Sequence, residues 1–173
     1  MTEPTTGASA AGPDGAYERL IALLDEGAAS YRVIDHAPEG RTELVSAMRG
    51  HAPAEAAKCI VLLVKFGKKV SRFVLAVVPG DARVNMEALQ RLMGASTVRF
   101  AEAGAAEALA GSGSGTILPF AFDPALELIV DPDVAASATM YFNAGRLDRS
   151  LALDTADYLR LARPRIERIA LRP

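Results

Sequence analysis

Lys58 is the residue best placed for chemistry. It stands at the head of the run Cys59-Ile60-Val61-Leu62-Leu63-Val64, which carries no charged or amide side chain. Side chains alternate across a strand, so Lys58 shares a face with Ile60, Leu62 and Val64, and Cys59 shares the other with Val61 and Leu63. An ammonium on an apolar face either snorkels to water or sits at the mouth of a pocket, met there by an anionic or carbonyl-rich group. The chain carries four lysines against fifteen arginines, and Lys58 is the lysine that lies outside the turn from Lys65 to Lys69. A compact, rotatable ammonium is not interchangeable with a planar guanidinium where a small group is held in a pocket. Lys65, Lys68, Lys69 and Arg72 form a second cationic group. At a hairpin tip such a cluster either keeps an exposed edge soluble or contacts nucleic-acid phosphates.

Other reactive types lack the spacing that chemistry requires. His36 and His51 are fifteen residues apart, without metal-ligand spacing, and read as loop or surface histidines. Cys59, the single cysteine, lies in the apolar run and reads as core packing, which leaves neither a disulfide nor a cysteine metal cluster. No serine lies in G-x-S-x-G. The glycine-rich stretch Gly111–Gly115 is not followed by Gly-Lys-Ser/Thr, so it is no P-loop. It serves close backbone approach to a ligand, or a flexible connection. Asp131, Asp133, Asp148 and Asp154 read as turn and cap residues. No metal or cofactor is expected.

The elements that position these groups follow from periodicity. Residues 1–15, rich in Thr, Ala, Gly and Pro, read as a disordered leader, and residues 16–173 as one domain. Tyr17, Leu20, Ile21 and Leu24 fall at helical spacing up to Glu26, with Gly27 as the stop. Tyr31 to Ile34 is a strand. Thr42 is expected to cap a short helix closed by Gly50, and Pro53 to open another helical piece leading into Lys58. The Lys58 strand and the run Val70–Val78 pair as a hairpin through Gly67-Lys68-Lys69. Asn85 caps a helix through Met93. Val98 and Phe100 mark a brief strand, and Ala101 to Ala110 an alanine-rich helix. Strands follow at Leu126–Val130, Thr139–Asn143 and Ser150–Leu153, the first ended by Asp131-Pro132-Asp133. Thr155 is expected to cap the last helix, to Arg163. Beyond it Arg165, Arg168 and Arg172, with Arg160 and Arg163, make a basic C-terminal segment. Strands and helices without a regular repeat indicate an α+β fold.

The chain is half apolar and 23% charged, an ordinary globular composition, and its formal net charge of -2 argues against non-specific clamping of nucleic acid. No apolar run is long enough to span a bilayer, so a cytoplasmic protein without membrane partners is expected.

The order of five segments carries more. AAKCIVLLVK at 56–65, FVLAVVPGDARVN at 73–85, GTILPFAF at 115–122, ELIVDP at 127–132 and FNAGRLDRSLAL at 142–153 resemble, in that order, the YbaK/prolyl-tRNA synthetase-associated domain family. The resemblance implies an α+β domain built on a mixed, barrel-like sheet surrounded by helices. It also implies hydrolysis of the ester linking a wrong amino acid to tRNA, above all tRNA for proline carrying Cys, Ala or Ser. Lys58 falls at the family's key lysine, and Gly115 and Pro119 match its Gly-x-x-x-Pro loop, which together with Phe120 lines the aminoacyl pocket. His36 stands where many members have a histidine after the first strand. Two departures are visible. Ala121 replaces the glycine that usually follows Phe120, and Tyr141-Phe142-Asn143 replaces the histidine-bearing strand of alanine-editing members. Water would be activated by the substrate itself, since no side chain stands out as a general base. Aminoacyl-tRNA is the expected partner, with a synthetase as a second one, and Lys65, Lys68, Lys69 and Arg72, together with the C-terminal arginines, are the candidate tRNA contacts. The alternative is a non-catalytic tRNA- or synthetase-binding module of the same fold.

Overall fold

The computed structural model describes residues 15–173, so the leader read over residues 1–15 lies outside it apart from Gly15. In chain order the elements are α1 (Ala16–Glu26), β1 (Tyr31–Asp35), α2 (Thr42–Arg49), a 3-10 turn (Pro53–Glu55), β2 (Ala57–Phe66), β3 (Val70–Pro79), β4 (Arg83–Val84), α3 (Met86–Met93), β5 (Thr97–Phe100), α4 (Ala103–Ala110), β6 (Leu126–Val130), α5 (Pro132–Ala136), β7 (Thr139–Asn143), β8 (Arg149–Asp154), α6 (Thr155–Ala162), β9 (Arg165–Ile166) and β10 (Ala170–Leu171). This is a mixed α+β arrangement.

The central sheet has the order β5-β2-β3-β6-β9. Its middle is the β2–β3 hairpin, with Lys58 opposite Val78 and Phe66 opposite Val70. The strand after it, β6, runs parallel to β3. β2 and β3 read as continuous apolar runs because both faces of this sheet are covered. On one face Val61, Leu75, Val77, Leu128 and Val130 pack with Leu20, Leu24, Leu151, Leu153 and Tyr158. On the other, Leu62, Val64, Val74, Ala76 and Ile129 pack with Val84, Leu89 and Ile169. Fully burying one such side chain stabilises by about 1.5–3 kcal/mol.

The barrel-like sheet implied by the resemblance is not closed. A separate antiparallel sheet of order β1-β8-β7 lies beside the central one, and β10 and β4 form a two-stranded sheet of their own. β5 covers the edge of β2 only from Leu62 to Lys65. At the other end of β2, the two larger sheets meet through a single parallel bridge, Ala56 to Tyr141. Closure would need several such pairs in register, so the sheets diverge there and leave a seam.

Several helix starts differ from the sequence reading. Arg41, not Thr42, is the N-cap of α2 and makes no side-chain cap bond. Asp154, not Thr155, caps α6, accepting from Asp157 N at 3.0 Å. Its carboxylate serves the orphan amides better than the threonine hydroxyl, which is buried without a partner. Asn85 does cap α3, accepting from Ala88 N at 3.0 Å. The Asp131-Pro132-Asp133 turn opens helix α5, with Asp131 as its N-cap.

Asp131 does more than cap. It is fully buried. Oδ1 accepts from Asp133 N and from Arg168 Nη1, and Oδ2 accepts from Ile169 N at 2.9 Å and Ala170 N at 2.8 Å. That latch holds the C-terminal segment in place, so β10 can pair with β4, Ala170 opposite Val84. The basic C-terminal arginines are largely committed to carboxylates. Arg165 pairs with Glu127 and Glu167, Arg168 with Asp131 and Asp133, and Arg172 with Asp81 and Asp133. Among the described residues no helix is long and apolar enough to cross a membrane.

Candidate active site

A cleft opens at the seam where the two larger sheets diverge. The start of β2 supplies Ala57, Lys58 and Cys59, the end of β7 supplies Phe142 and Asn143, and one side of α2 supplies Thr42, Val45 and Arg49. Positions 42, 45 and 49 recur at helical spacing, which puts all three on one side of α2. Gly40 and Gly115 complete the rim from two loops. These loops touch at backbone distance. A Cβ on Gly115 would stand 3.1 Å from Gly40 Cα, and Gly115 has φ +80, a left-handed conformation open to glycine at little cost. The space inside is small, about 80 Å³.

Lys58 is half-buried, and among the described residues no hydrogen bond or ion pair engages its ammonium. Burial pushes its pKa below the ordinary lysine value, Arg83 adds to that, and the charges of Glu43 and Asp81 oppose it. An ammonium in this state is prepared for a ligand oxygen.

Arg49 is the residue the sequence reading passed over. Nε donates to Ser150 Oγ at 2.8 Å, Nη2 to Asn143 Oδ1 at 3.0 Å, and Nη1 faces His51 Nε2 at 3.4 Å. All three acceptors are neutral. His51 Nδ1 lies 2.8 Å from Ala52 O and must carry the proton, leaving Nε2 as acceptor. Burial lowers the His51 pKa, and its ring stacks on Tyr141 at 3.8 Å. Burial also lowers Arg49 to about 10. No carboxylate pairs with Arg49 among the described residues, so its positive charge is left for whatever occupies the cleft.

Asn143 and Ser150 brace this guanidinium. Asn143 Nδ2 donates to Glu39 O at 2.9 Å and Gly115 O at 2.8 Å, tying the two rim loops together. Its Oδ1 accepts from Arg49 and lies 3.0 Å from Ser150 Oγ, so the amide is saturated and buried. Ser150 has one hydroxyl proton and two acceptors in reach, Asn143 Oδ1 and His36 Nε2, the latter at 2.6 Å.

Of the residues singled out in the sequence, Lys58 and Gly115 come together at the cleft. His36 is one step behind it, held through Ser150. Pro119 and Phe120 are not among the lining residues. Pro119 O accepts from Tyr158 Oη at 2.7 Å, and Phe120 is buried edge-on to the Tyr158 ring. Lys65, Lys68, Lys69 and Arg72 sit at the far end of the hairpin. The rise of roughly 3.3 Å per residue places that tip about 25 Å along β2 from Lys58. Asn143 and Ser150 lie inside the FNAGRLDRSLAL segment, where an isolated asparagine near the end of a strand was the available signal. Arg49 carried none, since arginine in the last turn of a helix is ordinary. Among the described residues no group of three His, Cys, Asp or Glu could hold a metal ion.

The family model for the aminoacyl-tRNA editing domain matches residues 36–161, from His36 through most of α6. The chain belongs to the aminoacyl-tRNA editing domain family. The editing domain is 39% identical over 151 residues to the multifunctional Ser/Thr-tRNA deacylase ProXp-y of Escherichia coli K12, covering 87% of this chain and 90% of the relative. It is 30% identical over 114 residues to a proline–tRNA ligase of Bacillus licheniformis, of which it spans 19%. Among solved structures, a hypothetical protein superposes with TM-score 0.79 at 21% identity, covering 88% of this chain and 99% of the other. A proposed trans-editing enzyme for prolyl-tRNA synthetase gives TM-score 0.74 at 18% identity, covering 90% and 97%. These two likenesses establish the fold.

Proposed function

We propose that the editing domain hydrolyses the ester of tRNA mischarged with a small amino acid, serine or threonine foremost, with tRNA for proline as one carrier. The observation that carries this reading is the cleft itself: two cations, Lys58 and Arg49, and no carboxylate or imidazole among its lining residues. Such a lining suits an ester carbonyl and the ribose oxygens around it. It also supplies no general base, so the attacking water is activated by the free hydroxyl of the substrate's terminal ribose. Lys58 holds the ester carbonyl oxygen as it gains charge, and Gly115 and Gly40 let backbone approach the aminoacyl group.

The small volume supports a small side chain. Val45, Ile117 and Phe142 offer apolar contact, while Thr42 and Arg49 offer polar groups to a side-chain hydroxyl. Pockets gain only about 1–3 kcal/mol per methylene, which is why a separate sieve for wrong products is useful. The similarity to a Ser/Thr-tRNA deacylase over nearly the whole chain favours a hydroxylated amino acid, and Asn143 in place of a histidine fits a preference away from alanine.

The test is deacylation by the purified protein of tRNA for proline carrying alanine, cysteine or serine, and of tRNA carrying threonine. The seryl and threonyl esters should be cleaved fastest, and Lys58→Ala should lower kcat by about 10²–10³. Unchanged kcat in Lys58→Ala would overturn the mechanism. Binding of tRNA without release from any of the esters would favour a non-catalytic module of the same fold.

A further inference from the structure

Lys58 borders a second depression. Beyond it, on the β2 face opposite the α1 and α6 side, lies a groove of about 420 Å³ formed by Lys58, Ile60, Arg83, Val84, Phe100 and Leu171. Register explains how these residues meet. Phe100 pairs with Leu62, so it shares a face with Leu62, Ile60 and Lys58, and β5 ends there, leaving the groove open along the first half of β2. β4 and β10 supply Arg83, Val84 and Leu171 as the facing wall.

Phe100 is 63% exposed, the most exposed of the large apolar side chains described, and Leu171 is 45% exposed. An aromatic ring left open to water beside two cations is an unusual use of phenylalanine in a chain with six of them. Arg83 has no carboxylate partner among the described residues, unlike Arg165, Arg168 and Arg172 nearby in sequence to the same wall. Lys58 and Arg83 bring like charge to the same groove, beside the opposing charges of Glu43 and Asp81, and among the described residues neither cation is engaged by a carboxylate in an ion pair, so an anion between them would meet both.

The two depressions divide a ligand by size. The cleft, at about 80 Å³, falls far below the roughly 300–1,000 Å³ of sites that enclose whole small molecules. It therefore takes an aminoacyl side chain and leaves the attached nucleotide outside. Resting on the editing reading, we propose that the groove is the seat of the substrate's terminal adenosine: the adenine base stacks on Phe100, and its 5′-phosphate lies between Arg83 and Lys58. Every base has a face that stacks on an aromatic ring, and backbone phosphates answer to lysine and arginine. Lys58, lining both spaces, marks the boundary between nucleotide and aminoacyl group. The groove thus selects for the end that every tRNA shares, and the cleft selects the amino acid.

The chain has no tryptophan, so Phe100→Trp installs a single indole reporter in the groove. Uncharged CCA trinucleotide is expected to quench its fluorescence saturably, with half-saturation at least fivefold lower than for the dinucleotide CC, and Arg83→Gln added to the reporter should weaken the CCA response by a similar factor. On whichever mischarged tRNA the wild-type protein deacylates, Phe100→Ala should raise KM about tenfold with kcat changed less than twofold, and Phe100→Trp should restore KM. An exposed side chain can be replaced without unfolding the domain, which a thermal melt of each variant checks. No quenching by CCA, equal quenching by CC, or an unchanged KM in Phe100→Ala would overturn the proposal. Quenching by CCA without ester cleavage would keep the groove and remove the enzyme; cleavage without quenching would keep the enzyme and remove the groove.

Discussion

At the scale of single residues, the editing domain places one unpartnered ammonium and one braced guanidinium beside the same small space. In the proposed mechanism Lys58 must carry its proton to hold a developing oxyanion. Burial, joined by the charge of Arg83, lowers its pKa. The activity should therefore be flat at neutral pH and fall as pH rises through a midpoint below that of an ordinary lysine. Lys58→Arg should lose that alkaline limb, because a guanidinium stays charged, and a pH profile of kcat/KM reads both results. The same shift has a sign in stability: between the folded and unfolded pKa values the unfolded chain binds more protons, so this group's unfavourable contribution fades as pH rises. Lys58 was legible because it interrupts an apolar pattern that is otherwise complete. Arg49 was not, because its environment is made by Ser150 and Asn143 about a hundred positions away, and no local pattern encodes that.

At the scale of elements, the cleft depends on how loops and helix α2 are pinned against β2 and β7. Gly115 adopts φ +80 against Gly40. Gly115→Ala should cost about 1–3 kcal/mol in urea denaturation and, on the proposed mechanism, weaken deacylation as well, because it displaces the rim proposed to seat the aminoacyl group. Long periodic elements were readable in the sequence: the β2–β3 hairpin, α3 with its Asn85 cap, and the alternation of β7 and β8. The caps of α2 and α6 fell one residue from where they were expected: Asp154 takes the orphan amide of Asp157 ahead of Thr155, and Arg41 stands at the start of α2 through its extended backbone alone, with no side-chain cap. α5, β9 and β10 were invisible for a different reason. Each is five residues or fewer, and the β10 position is fixed by Asp131 accepting from amides thirty-eight and thirty-nine residues further along.

At the scale of the whole molecule, α+β architecture followed from the mixture of element types, whereas the failure of the sheet to close did not, because closure is decided by pairings between strands distant in sequence. Charge is divided in a similar way. Arg160, Arg165, Arg168 and Arg172 of the C-terminal segment pair with carboxylates within the fold, leaving the hairpin tip, with Lys65, Lys68, Lys69 and Arg72, as the candidate long-range contact for the body of tRNA. Reversing Lys68 and Lys69 together to glutamate should weaken tRNA binding and flatten its dependence on salt concentration, while aminoacylated CCA trinucleotide, too short to reach the tip, should be cleaved at the wild-type rate. An unchanged salt slope would remove the tip from the interface.

The single bridge between Ala56 and Tyr141 has one more consequence. The β1–β8, β7–β8, β2–β3, β2–β5 and β3–β6 pairings are ladders of four or more pairs, whereas at the seam one backbone pair and the Asn143 amide make the hydrogen-bonded join. Such a join opens at a free-energy cost well below that of global unfolding. The site can therefore breathe while the β2–β3 ladder stays intact, and native-state deuterium exchange should show fast-exchanging amides around positions 39–41 and 115–117 against slow ones at 74–78. Turnover is then expected to be gated by that opening, with substrate entering and product leaving where the two sheets share a single backbone pair.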